Sequence, residues 1–106
     1  MFVKTAGSQE WVSAGYEGAE RAVLRLSQEN GRTAVVRIKA GATGPRHRHA
    51  AGEDVLVISG QVVIDGATLN AGDYCYTEAG ETHELKAIED SVIYVSSQKP
   101  VTVLSE

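Results

Sequence analysis

Tight-turn dipeptides recur along this chain at short intervals: Asn30-Gly31, Ser59-Gly60, Asp65-Gly66, Ala71-Gly72 and Ala79-Gly80. Between them lie runs of a few residues rich in valine, isoleucine, threonine and tyrosine, too short for stable helices but long enough for strands. Eleven glycines against two prolines fit the same reading. Eight or more short strands, spaced roughly 8 to 12 residues apart, predict an all-β sandwich or barrel with little helix.

In chain order, Trp11 and Val12 predict a short strand or arm covering the core. The run from Ala19 to Gln28, AERAVLRLSQ, fits two patterns. Ala19, Ala22, Val23 and Leu26 would form a helical stripe, whereas Ala22, Leu24 and Leu26 would share a strand face. Asn30-Gly31 decides for a hairpin, because both residues tolerate positive φ and the alternating RTAVVRI follows at once. DVLVIS reads as a fully apolar, buried strand, and QVVID enters a second hairpin at Asp65-Gly66. ATLNAGDYCYT supplies two more strands, THELKAI another, and SVIYVSS the last clear one. Pro100 marks a loosening into a tail.

At 106 residues the chain is expected to be one domain, with residues 1–12 as a possible arm and 100–106 as a tail. Ten basic and fourteen acidic residues give a net charge of -4 without a basic block, which argues against nucleic acid or an anionic membrane as partner. No apolar run resembles a signal peptide or a membrane span, so a cytoplasmic protein is expected. Cys75 is the only cysteine and can form neither an internal disulfide nor a thiolate zinc cluster. A small core residue is its simpler reading, a thiol close to a metal the sharper one.

All three histidines are His47, His49 and His83. On a strand, side chains two apart point the same way, so His47 and His49 share a face and Arg46 and Arg48 the other. Glu53 follows a small turn that would bring its carboxylate back towards them. A later hairpin would supply His83. Three imidazoles and a carboxylate in one place are the donors of a mononuclear metal site.

These residues carry a family resemblance. The stretch Gly41 to Gly60, GATGPRHRHAAGEDVLVISG, is similar to the first cupin motif, G-x5-H-x-H-x3-E-x6-G, at Gly41, His47, His49, Glu53 and Gly60. The second motif, G-x5-P-x-G-x2-H-x3-N, is met at Gly72, Gly80 and His83, but Glu78 stands at its proline and Ala87 at its asparagine. Both departures concern turn rigidity rather than ligation. The resemblance implies a cupin double-stranded β-helix, or jelly-roll, barrel in which His47, His49, Glu53 and His83 bind one divalent transition metal ion. Among cupins the chain looks most like the zinc-binding cupin domain of ChrR-type anti-sigma factors. It has no histidine or cysteine before Gly41 for their helical zinc domain, which argues against an anti-sigma role.

The donor set suits zinc, iron, nickel, copper or manganese. Four protein ligands would close a tetrahedral zinc site, whereas six-coordinate iron, nickel or manganese would keep two positions open. The resemblance therefore implies a small-molecule metalloenzyme of dioxygenase, isomerase or lyase type, or a non-catalytic metal-binding sensor or binding module. Glu53, Tyr74, Tyr76 and Glu78 are the candidates for proton transfer, with Glu81 and Tyr94 behind them. Imidazole protonation predicts metal loss below about pH 6. A small-molecule ligand and a homodimer paired through Met1 to Val12 complete the expectations.

Overall fold

The computed structural model describes residues 1–27, 31–49, 51–98 and 101–103. After a single 3-10 turn at Ala6–Ser8 the described chain is built of strands. They are β1 (Trp11–Ser13), β2 (Ala19–Leu26), β3 (Arg32–Ile38), β4 (His47–His49), β5 (Glu53–Ser59), β6 (Gln61–Ile64), β7 (Ala67–Asn70), β8 (Tyr74–Thr77), β9 (Thr82–His83), β10 (Leu85–Ala87), β11 (Ser91–Ser97) and β12 (Val101–Val103). A six-stranded sheet runs in the order β1-β2-β3-β11-β5-β8, beside two three-stranded sheets, β10-β6-β7 and β12-β4-β9. All the pairings are antiparallel.

Turn chemistry accounts for the closures. Asp65 and Gly66 both take positive φ, 47° and 82°, which matches the right-handed twist of the β6–β7 hairpin. Gly60 combines a φ of 86° with a crowded site: a Cβ there would run into Ser91 and the Asp90 carbonyl. Asn30 lies outside the described residues, but β2 and β3 pair antiparallel as the Asn30-Gly31 hairpin predicts.

The inward face follows period two. Ile38, Val55, Val57 and Ile93 of the large sheet meet Val62, Ile64, Leu85 and Ala87 of the opposite sheet in one apolar core. Val57 and Val62 are fully buried. On β2, however, Ala19 packs into this core while Leu26 is 66% exposed. The predicted shared face of Ala22, Leu24 and Leu26 is broken by a register shift between Val23 and Arg25: Ala22, opposite Trp11 and Val35, is buried on the outer face, while Leu26 falls opposite the inward Arg32.

The predicted tail also differs. Val101–Val103 forms β12 and pairs with His47–His49, so the histidine strand is flanked on both sides. Isolated short strands are weak, and this pairing supplies β4 with a second set of ladder hydrogen bonds.

Candidate metal centre

The segment before β4 runs antiparallel to β10. Gly41 N–H donates to the Ala87 carbonyl, Ala87 N–H to Ala42 and Gly44 N–H to Leu85, each at 2.8 to 3.0 Å. The ladder continues into β4 and β9, where His47 lies opposite His83. His49 is held at both backbone groups, its N–H donating to the Glu81 carbonyl and its carbonyl accepting from Gly80 N–H. Glu53 arrives from the facing sheet, at the head of β5.

The four side chains meet. One ligand atom from each of His47, His49, Glu53 and His83 lies within 4.8 Å of all the others. Nε2 of His49 is 3.0 Å from Nε2 of His83, and both are 3.7 Å from Oε1 of Glu53. Donors bonded to one ion at roughly 2.1 Å lie about 3.0 to 3.4 Å apart at right-angled or tetrahedral positions, so this spacing needs little adjustment. The proton positions agree. The Pro45 carbonyl, 3.1 Å from Nδ1 of His47, can only accept, which places a proton on Nδ1 and leaves the Nε2 lone pair free. Thr77 Oγ1 stands 3.0 Å from Nδ1 of His83 and can accept in the same way. His49 Nδ1 is buried without a partner.

Electrostatics favour a cation. Burial, reinforced by the neighbouring imidazoles, pushes His49 and His83 down to about 4, so both are neutral and ready to coordinate. Burial pushes Glu53 up to about 7 despite the opposing charge of Arg32. An ionised carboxylate in this place lacks a compensating charge at bonding distance, and a divalent ion would supply it.

The cluster opens on a cavity of about 180 Å³ inside the barrel, lined by His47, Glu53 and His83 together with Arg21, Arg32 and Tyr16. These last three are missed by the sequence reading. A signal existed for one of them: Arg32 heads the period-two row Arg32, Ala34, Val36, Ile38, whose other members are core or cavity residues. Arg21 was obscured by the inverted face of β2. Burial raises the Tyr16 hydroxyl, which therefore stays protonated at neutral pH, and its ring lies over Gly44.

The other candidates lie elsewhere. Tyr74 and Tyr76 alternate to the outer face of β8 and are 56% and 53% exposed. Tyr74 donates to Asp54, which pushes it up to about 12. Glu78 is exposed, and its backbone N–H is bonded to the Glu81 carboxylate. Strand alternation thus removes Tyr74 and Tyr76 from proton transfer in the cavity, and an exposed turn position removes Glu78. Tyr94, between the inward Ile93 and Val95, and the exposed Glu81 are likewise absent from the lining. Cys75 faces inward against the core, its thiol raised by burial and then by Glu53. Arg46, just before β4, and Arg48, within it, are both exposed, and Arg46 Nη2 donates to Thr82 Oγ1 at 3.3 Å.

A jelly-roll of antiparallel strands closing around three histidines and a glutamate defines a cupin. More narrowly, the chain belongs to the ChrR cupin-like family, whose sequence model, described as ChrR Cupin-like domain, matches residues 1–102. It is 34% identical over 79 residues to the DNA damage-repair/toleration protein DRT102 of Arabidopsis thaliana, which covers 69% of this chain. The chain spans only 26% of that relative's length. Among solved structures it is similar to an acetylacetone dioxygenase from Acinetobacter johnsonii, with a TM-score of 0.87 and 19% identity over 100% of this chain and 78% of the other. It is also similar to a chain in the complex of Rhodobacter sphaeroides SigE with the anti-sigma ChrR, with a TM-score of 0.75 and 22% identity over 88% of this chain and 50% of that one. No helix of the described residues is long and apolar enough to cross a membrane.

Proposed function

We propose that the protein is a metal-dependent enzyme acting on a small molecule, of dioxygenase, isomerase or lyase type. His47, His49, Glu53 and His83 would hold one divalent transition metal ion: iron, zinc, nickel or manganese. The observation that carries this reading is that the ligand cluster opens on an internal cavity of about 180 Å³ instead of lying sealed in the core. Once bound, the ion would supply Lewis acidity and a template for an oxygen-bearing substrate.

The chain's own groups have separate tasks. The Pro45 carbonyl and Thr77 fix the imidazole planes of His47 and His83. Val36, Val55, Ile93 and Val95 give the cavity apolar walls that limit water. The protonated Tyr16 hydroxyl is a neutral donor on the lining and would take the role expected of Tyr74 and Tyr76. Similarity to a protein named acetylacetone dioxygenase supports an oxygen-dependent reaction.

The test is a scan of small oxo acids and diketones against protein reconstituted separately with iron, manganese, nickel and zinc. Turnover with one metal that vanishes in His83→Ala is expected. Stoichiometric zinc with no exchangeable water would instead establish a second reading, a non-catalytic sensor module, which the ChrR cupin-like family membership favours. Pairing of two copies through Met1 to Val12 is proposed as well, because Met1, Phe2, Val3 and Val12 leave apolar side chains exposed there. A monomer by analytical ultracentrifugation at 50 micromolar or about that concentration would contradict it.

A further inference from the structure

Arg21 and Arg32 are oddly placed for surface residues. Each follows the inward row of its strand, β2 or β3, and each lines the cavity that the metal ligands open on. Among the described residues neither is ion-paired to a carboxylate, and Glu20, which neighbours Arg21 in sequence, is engaged by Arg37 at 3.0 Å instead. Arg21 Nε is buried with no hydrogen-bond partner. Burial, then the charge of Arg21, lowers Arg32, with Glu53 opposing. Two like charges sharing a half-buried cavity are unfavourable unless something anionic joins them. Glu53 is the one carboxylate lining that cavity, and a bound metal would claim it.

We infer that the cavity takes a small carboxylic acid, whose carboxylate is held by the Arg21 and Arg32 guanidiniums and whose other oxygen donor faces the metal ligands. Guanidinium forks match the planar, two-oxygen edge of a carboxylate, and each such charge-assisted pair satisfies several N–H groups at once. Size limits the class further. A cavity of roughly 150 Å³ holds benzene, so about 180 Å³ takes roughly six to eight heavy atoms, the size of a small acid. In the register Arg32 and Glu53 share a row with Ser97 between them, and the next rows of the lining, Val95 with Val55 and Ile93 with Val36, are apolar and suit a short hydrocarbon spacer. This deepens the metalloenzyme reading and rests on it for the metal-facing end of the ligand.

The experiment is calorimetric titration of metal-loaded protein with succinate, with its neutral isostere succinamide and with inorganic phosphate, alongside metal analysis of every sample. Succinate is expected to bind at least about tenfold more tightly than succinamide, and Arg32→Gln and Arg21→Gln each to weaken succinate at least about tenfold with metal content unchanged. Arg32→Lys, which keeps the charge but loses the fork, should fall between; it also serves if a glutamine variant does not fold. Equal affinity for succinate and succinamide, or an unchanged affinity in a folded arginine variant, overturns the inference. Phosphate binding more tightly than succinate overturns the carboxylate assignment. Titrating metal-free protein separates the two readings. An arginine-dependent preference for succinate in protein that takes up no metal upholds this inference and removes the metalloenzyme; stoichiometric metal without that preference does the reverse.

Discussion

The two ends of the barrel are made by the same strands and differ in almost every physical respect. Along β5 the inward residues run Glu53, Val55, Val57, and along β3 they run Arg32, Ala34, Val36, Ile38. On β11, which runs the other way, they run Ser97, Val95, Ile93. At one end Ile38, Val57, Val62 and Ala87 pack into an apolar core. At the other, Glu53, His49 and His83 are buried with their charges and lone pairs facing one another. Apolar burial there contributes little, and removing a carboxylate from water costs free energy that only a partner can return. Stability therefore resides mainly at the apolar end and the candidate metal site at the polar end, and changes at one should spare the other.

The largest expected effect is on metal. His83→Ala or His49→Ala removes a donor and should lower metal affinity by about a hundredfold or more, while the protein stays folded by circular dichroism. A variant that unfolds outright would show that the two ends are not separable. The opposite experiment is Val57→Ala, which opens a hole in the apolar end. A loss of about 2 to 3 kcal/mol in urea unfolding is expected, with metal stoichiometry per folded chain unchanged. Lost metal in the folded fraction would break the comparison from the other side. Thr77→Val is subtler: it removes the hydroxyl beside Nδ1 of His83 and should weaken metal binding roughly tenfold, measured by chelator competition, with little change in fold.

The smallest effect is a proton count. The sequence places proton competition at the imidazoles, below about pH 6. Burial moves it for His49 and His83, which are down at about 4, while Glu53, up at about 7, still carries a proton near neutrality. Proton release on metal binding should therefore fall between pH 6 and pH 8 as Glu53 loses its proton, read from calorimetry in buffers of different ionisation enthalpy. Release that stays constant over this range would count against Glu53 as the protonated ligand. For metal-free protein the signs differ by group. Between about pH 4 and 6.5 the unfolded chain binds more protons at the two histidines, so their contribution to stability is lost as the pH falls. The folded chain holds the Glu53 proton up to about 7, so its contribution is lost as the pH rises through that value.

Much of the polar end was legible because its residues are rare and its turns need particular backbones. Histidine occurs only at the site, and Gly41, Gly60, Gly72 and Gly80 mark turns wherever they stand. The turn at Asp65-Gly66 and the antiparallel pair β2–β3 follow the same logic. What escaped was the question of facing. Tyr74, Cys75 and Tyr76 alternate, and nothing local says whether the tyrosines or the cysteine point inward; β5 decides by pairing Cys75 with Val55. Arg21 was hidden by a similar ambiguity, since both faces of β2 carry apolar residues and the charged one turned inward. The pairing of β12 with β4 joins residues some fifty positions apart and leaves no periodic trace in either segment.

The central claim is that His47, His49, Glu53 and His83 hold one metal ion between them. Elemental analysis of tag-free protein, wild type beside Glu53→Gln and His83→Ala, tests it most directly. The structure predicts close to one transition metal ion per wild-type chain, markedly less in Glu53→Gln and almost none in His83→Ala. Wild-type protein that takes up no iron, manganese, nickel or zinc, or a folded His83→Ala that keeps its full complement, would contradict it.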